Sequence, residues 1–194
     1  EHKVTLPLIG AYQAANALVA AGLVIATGGD VATTIANLAR LQPVRGRLER
    51  AVIAPSGAPV YVDYAHTPDA LEAAIAALRP HVAGRLILVF GAGGDRDAGK
   101  REPMGQIAAA AADIAIVTDD NPRSEDPAAI RADILEGAPN ALEIGDRRTA
   151  IAEAIRMAGA EDIVLIAGKG HEQGQIVGDL VLPFDDVTVA REVA

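Results

Sequence analysis

Three short runs, Leu86–Phe90 (LILVF), Ile114–Thr118 (IAIVT) and Ile163–Ala167 (IVLIA), are apolar almost throughout and are bounded by glycine or charged residues. They are too short for buried helices and have the texture of strands covered on both faces, as in a parallel sheet. Alanine-rich stretches with helical spacing lie near residues 67–79, 100–112, 126–136 and 147–158. Strand–helix alternation of this kind predicts an α/β fold, a doubly wound, mostly parallel, Rossmann-like sheet with right-handed crossovers. Further strands are predicted at Ala51–Ala54, Pro59–Asp63 and Leu142–Ile144, and a hairpin across Ile176–Leu182.

The chain ahead of this pattern has a different texture. Residues 12–27 and 30–41 read as two helices separated by Thr27-Gly28-Gly29-Asp30, where the glycines stop one helix and Asp30 caps the next. Pro43 ends the pair, and a domain boundary is placed near Val44–Arg47, giving domains of 1–45 and 46–194. The helix beginning at Tyr12 is almost wholly Ala, Leu, Val and Ile, so it is expected to bury itself in a larger body. With no methionine at residue 1 and no strand for the helices to pack on, the chain is expected to be a piece of a longer protein.

Composition removes several functions. Without cysteine there are no disulfides, thiolate metal sites or thiol catalysis, and a reducing cytoplasm is the simplest compartment. A net charge of -9 opposes nucleic-acid binding, which rests on clustered Lys and Arg. No apolar run is long enough to span a bilayer, and Glu1-His2-Lys3 does not open a signal peptide, so no membrane partner is expected. The four histidines lack metal-ligand spacing; His2 and His81 read as surface residues, and no metal site is expected.

In an open parallel sheet, ligands bind beyond the carboxyl ends of the strands. There the sequence has Asp63-Tyr64-Ala65-His66-Thr67-Pro68-Asp69, Gly91-Ala92-Gly93-Gly94-Asp95-Arg96-Asp97, Asp119-Asp120-Asn121-Pro122-Arg123 and Gly168-Lys169-Gly170-His171-Glu172, all dense in charge or glycine. The second is not a dinucleotide fingerprint, because Arg96 stands where the last glycine belongs. It is either a flexible turn or a close-approach loop in which Arg96 offers a planar fork to a carboxylate or phosphate. The third reads as turn chemistry around Pro122, yet that leaves Arg123 unexplained; with two adjacent carboxylates it suits a small zwitterion. The fourth fails as a Walker A loop. It is either a tight turn with exposed charges or a loop in which Gly168 contributes backbone and Glu172 accepts from a ligand ammonium. In the first, Thr67 caps a helix and Pro68 opens it, leaving Asp63 and His66 at the mouth, where a ribose or phosphate contact is open to them.

Taken in order, LPLIGAYQAANALVAAGLVIATG, PVRGRLERA, DYAHTPDAL, FGAGGDRDAGKR, TDDNPR and AGKGHE resemble the Mur ligase family, and within it the members that add meso-diaminopimelate. The resemblance covers essentially the whole chain. It implies an ATP-dependent amide ligase of peptidoglycan synthesis, acting in the cytoplasm on a UDP-linked muramyl dipeptide through an acyl phosphate, with ATP and Mg2+ bound mainly by a preceding domain. Residues 1–45 then correspond to the last helices of the central ATP-binding domain, and 46–194 to the amino-acid-binding domain. Matching motif to motif, Arg96, Asp120, Asn121, Pro122, Arg123, Gly168 and Glu172 take the diaminopimelate positions. Asn16, Arg47, Asp63 and His66 take positions around ATP. The family's P-loop and carbamylated lysine would lie upstream of residue 1, so no catalytic residue is expected here and the piece alone is expected to be inactive. Tyr12 and Gln13 depart from the asparagine of many relatives, leaving Asn16 for the adenine contact. Folylpolyglutamate synthases and murein-peptide recycling ligases are the nearest alternatives, against which DNPR and GKGHE argue. A non-catalytic amino-acid or nucleotide-binding module stays open for the piece taken alone.

Overall fold

The structure is a computed structural model that describes residues 2–194; Glu1 lies outside the described residues. The chain divides into two compact units between Val44 and Arg45. In the first, α1 (Tyr12–Ala26) and α2 (Val31–Leu38) pack on each other. Asp30 caps α2 as expected, its carboxylate accepting from the Thr33 amide at 2.8 Å. The second helix stops at Leu38, short of the predicted residue 41. Ala17 and Ala21 of α1 are buried, but Leu18, Val19, Leu23 and Val24 are exposed, so most of the apolar surface of this helix remains uncovered.

The second unit is the α/β body. Its strands are β1 (Glu49–Ile53), β2 (Pro59–Asp63), β3 (Leu86–Phe90), β4 (Ile114–Val117), β5 (Leu142–Glu143) and β6 (Ile163–Ala167). They form one sheet in the order β1-β2-β6-β3-β4-β5. All neighbours are parallel except β1, which runs antiparallel to β2 at the edge. Between strands come α3 (Pro68–Leu78), α4 (Arg101–Ala111), α5 (Pro127–Gly137) and α6 (Arg147–Met157). Thr67, Asp126 and Asp146 cap α3, α5 and α6 through side-chain oxygens that accept from backbone amides.

Successive strand residues face opposite sides of the sheet. Val60, Val62, Ile87, Val89, Ile116, Val164 and Ile166 meet Ala150, Ile151, Ala154 and Ile155 of α6. The same core takes in Val187, Val189 and Ala190 of α7 (Asp186–Val193), a helix that the sequence pattern did not predict. Leu86, Leu88, Phe90 and Leu165 have the other parity and are fully buried toward α3, α4 and α5. Burial on both faces is why β3 and β6 are apolar throughout. The predicted hairpin is present as β7 (Gly174–Val177) and β8 (Leu180–Pro183), a separate two-stranded sheet.

Candidate functional site

The loops that leave β2, β3, β4 and β6 meet at the carboxyl edge of the sheet around a cavity of about 380 Å³. Of the residues singled out in the sequence, His66, Arg96, Asp120, Asn121, Arg123, Gly168 and Glu172 line it. Tyr64, Gly93, Asp97 and Lys100 join them, and the sequence reading had assigned none of these four a ligand. Another hollow of about 350 Å³ lies by Ala109, Ile114, Leu142 and Met157. Its one charged group, Asp113, is already satisfied by the Leu86 amide at 2.7 Å and by Arg79 at 2.7 Å. The carboxyl edge is therefore where unspent charge collects.

Arg96 is exposed and, among the described residues, donates only to the adjacent Asp95 carbonyl, at 2.9 Å. Arg123, in the left-handed region at φ 51, donates through Nη1 to the carbonyls of Gly94 (2.8 Å) and Asn121 (3.4 Å). Neither guanidinium hydrogen-bonds a carboxylate among the described residues. In a chain of net charge -9, two such cations on one cavity give its wall a local positive charge. Lys100 adds a third; its Nζ donates to the His66 carbonyl at 2.8 Å, and burial lowers its pKa.

The opposite charge comes from Asp120 and Glu172, arranged around a buried lysine. Lys169 is 0% exposed, which rules out the reading of this loop as a turn with exposed charges. Its Nζ donates to Asn121 Oδ1 at 2.9 Å and lies 3.4 Å from Glu172 Oε2 and 3.7 Å from Asp120 Oδ1. Asn121 Oδ1 also accepts from the Ile176 amide (3.0 Å), so its Nδ2 is left to donate to Glu172 (2.9 Å). A buried ammonium with two acceptors and a third carboxylate oxygen at ion-pair distance holds Asn121 in one orientation and keeps both carboxylates in place. Gly168, at φ 116, closes the arrangement: a Cβ there would sit 2.5 Å from Asp120 Oδ2.

Beneath the loops, Arg147 and Asp186 form a fully buried pair, Nε to Oδ1 at 2.8 Å and Nη2 to Oδ2 at 2.7 Å. Arg147 also donates to the Ala167 carbonyl at 3.0 Å, at the end of β6. Burial opposes its charge, but Asp186, with Asp120 and Glu172 behind it, outweighs burial and raises its pKa. Sequence held a hint of this residue: an arginine in the first turn of a helix opposes the helix dipole, so it needs another partner.

The remaining sequence-singled residues lie outside the cavity lining. Asp63 is buried, one oxygen accepting from the Leu48 amide (2.7 Å) and the other from the Ala65 amide (2.9 Å). Burial raises its pKa, against those two amides and the Arg47 charge. Pro122 is buried, and its carbonyl accepts from the Glu125 amide. Arg47 is exposed, its guanidinium 4.9 Å from the centre of the Tyr64 ring, a cation–π distance. Tyr64 also contacts the rings of His66 (4.6 Å) and His171 (5.1 Å). Asn16 belongs to the first unit, where its amide reaches Gln13 at 3.4 Å.

Residues 46–170 match the family described as Mur ligase, glutamate ligase domain. The UDP-N-acetylmuramoyl-L-alanyl-D-glutamate--2,6-diaminopimelate ligase of Zymomonas mobilis subsp. mobilis is 67% identical over 195 residues, covering 98% of this chain and 40% of that protein. The ligase of the same name from Caulobacter vibrioides is 62% identical over 186 residues, covering 96% and 38%. A solved structure of a ligase of that name is 40% identical with a TM-score of 0.74, covering 98% of this chain and 39% of the other. The chain thus spans about 40% of the length of the curated relatives it matches. With the family match spanning all the strands of the main sheet and most of the residues that line the cavity, this chain belongs to the Mur ligase family.

Proposed function

We propose that this chain is the C-terminal part of a cytoplasmic, ATP-dependent ligase that joins meso-diaminopimelate to UDP-N-acetylmuramoyl-L-alanyl-D-glutamate in peptidoglycan synthesis. Residues 1–45 would close the central ATP-binding domain and 46–194 would form the amino-acid-binding domain. The observation that carries this reading is the pair Arg96 and Arg123 on one cavity, neither bonded to a carboxylate, with Asp120 and Glu172 on the same wall. An amino acid bearing an additional carboxylate and ammonium matches that charge pattern. No helix of the described residues is long and apolar enough to cross a membrane.

In the proposed reaction the dipeptide carboxylate takes the terminal phosphoryl group of ATP and ADP leaves; the incoming amine then attacks the acyl carbon and gives up a proton, and phosphate leaves with the C–O electron pair. The residues of this chain hold and orient. Arg123 and Arg96 grip carboxylates, Glu172 and Asp120 accept from an ammonium, and Asn121 and Gly168 fix the floor on which these charges rest. Positioning alone supplies a large part of such a rate, because the amine must meet the acyl carbon along one approach. Arg47 and His66 would meet ATP, whereas Asp63, buried with both oxygens on backbone amides, holds the loop that carries His66. The exposed guanidinium of Arg47 over the Tyr64 ring, which in turn contacts the His66 ring, fits a phosphate-bearing ligand. As the family resemblance implies, Mg2+ would accompany ATP in the preceding domain.

Steady-state kinetics of the full-length ligase carrying Arg123→Ala test this. Loss of a charge-assisted bidentate contact, about 2 kcal/mol, should raise KM for meso-diaminopimelate roughly thirtyfold and leave KM for ATP nearly unchanged. An effect confined to ATP, or none, would overturn the assignment.

A further inference from the structure

Arg96 and Arg123 sit on different loops, after β3 and β4, so something must fix the distance between them. The residues beside them do so reciprocally. Asp95, one residue before Arg96, accepts from Ser124 Oγ at 2.6 Å and from the Ser124 amide at 3.1 Å. Glu125, two residues after Arg123, accepts from the Asp95 amide at 2.6 Å. Each loop thus caps the backbone of the other. Both oxygens of Glu125 also accept from Arg101 Nη2 (2.9 and 2.8 Å), while Arg101 Nη1 reaches Asp133 of α5 at 2.9 Å. Arg101 is buried at the start of α4, so the cross-brace is anchored in two helices.

The backbone shows what the brace restrains. Asp95 (φ 52) and Arg123 (φ 51) both occupy the left-handed region, which L-residues enter at a cost and keep only where surrounding contacts over-determine it. Gly94 adds its amide to the Asn121 carbonyl at 2.9 Å and its carbonyl to Arg123 Nη1 at 2.8 Å. Hydrogen bonds from Ser124 lower the pKa of Asp95, and those from Arg101 lower that of Glu125, so both carboxylates stay ionised at neutral pH.

We propose that Asp95, Ser124, Glu125 and Arg101 form a positioning brace that sets the separation of the two substrate arginines and thereby selects an amino acid bearing two carboxylates over one bearing a single carboxylate. None of the four lines the cavity. The selectivity follows from two-point attachment. A dicarboxylate gains from both cations only if their spacing is held, because the second contact is intramolecular and depends on effective concentration. A monocarboxylate such as L-lysine uses one cation and is indifferent to the spacing.

This inference rests on the diaminopimelate reading above, and its test separates the two. In the full-length ligase, Asp95→Ala should lower kcat/KM for meso-diaminopimelate about tenfold, in the range that small misplacements cost, with KM for ATP and the kcat/KM for L-lysine held within about threefold. Asp95→Asn, which tolerates the left-handed backbone and keeps an acceptor for Ser124, should recover most of the loss. A general loss of structure would lower both amino acids alike, so the ratio between them is the readout. Ser124→Ala and Glu125→Gln, milder changes, carry the same test should Asp95→Ala fail to fold. An unchanged ratio in all of these, with Arg123→Ala still shifting it, overturns the brace. An unchanged ratio in Arg123→Ala as well overturns the substrate reading beneath it.

Discussion

Replacing Arg147 with methionine should be among the most destabilising single changes in the second unit. The substitution keeps side-chain bulk but strands the Asp186 carboxylate at 0% exposure, without the two hydrogen bonds of 2.8 and 2.7 Å it receives. Removing one partner of a buried ion pair costs about 3–5 kcal/mol, and the Ala167 carbonyl loses a donor worth about 1 kcal/mol more. Asp186 lies in the first turn of α7, where the helix dipole relieves part of its charge, so the lower half of that range is expected. Against a total stability of about 5–15 kcal/mol, this is a large fraction. Urea unfolding followed by far-ultraviolet circular dichroism, with hydrogen exchange of the β6 amides to report on this unit, gives the loss. In Arg147→Met/Asp186→Leu no charge is left unpaired, so the double variant should be more stable than Arg147→Met alone. A loss below about 1 kcal/mol for Arg147→Met, or strict additivity in the cycle, would refute the reasoning, since both follow from desolvation of an unpaired charge.

Asp162 gives a pH dependence of known sign. Its carboxylate is held at about 2, below its ordinary 3.8, chiefly by hydrogen bonds from Arg85 and against burial. The ionised form is thus favoured by folding; its contribution is complete above pH 3.8 and is lost as pH falls toward about 2. Asp162→Asn should be less stable at neutral pH and show a flatter acid-unfolding curve across that window, read by circular dichroism against pH. Gly46→Ala should destabilise by about 1–3 kcal/mol, because a Cβ at φ 67 would fall within the backbone of Gly170 and His171 and nothing there can rotate away. Gly57→Ala is the control: its φ of 97 also carries a backbone penalty, no smaller than that at Gly46, but its nearest neighbour would be the Ala160 Cβ at 3.6 Å, so calorimetry should show a smaller drop in Tm if the clash dominates.

The parts of the fold legible in the sequence are those where local pattern and tertiary burial agree. Pro59–Asp63, Leu86–Phe90 and Ile163–Ala167 are strands over the predicted residues, since a doubly covered strand has no polar face to blur its ends. At β5 only Leu142 and Glu143 pair with a neighbour, and both are exposed, so its apolar pattern was weak. The helix α7 went unseen because its β-branched run, Val187-Thr188-Val189, has strand-like propensity; burial of Val187, Val189 and Ala190 against the sheet decides the matter. In the site, charge density picked out the four loops and the two arginines. The burial of Lys169 was hidden, because its acceptor on Asn121 and its ion-pair partner Asp120 come from another loop and converge only when the sheet is formed. Lys100 was passed over for a similar reason: its place on the cavity follows from its bond to the His66 carbonyl, which no spacing in the sequence announces.

The place of β6 in the sheet bears on how the molecule comes into being. Val164 is registered against Val60 on one side and Ile87 on the other, so a late stretch of chain wedges between two early ones. Until it has left the ribosome, β2 and β3 each present a bare strand edge, open to pairing with a stranger. Assembly must therefore wait on distant partners, which predicts slow maturation and a need for chaperone shelter during synthesis. The same insertion delivers Lys169 beneath Asn121 and Glu172, so the cavity at the carboxyl edge is completed by the very event that seals the sheet.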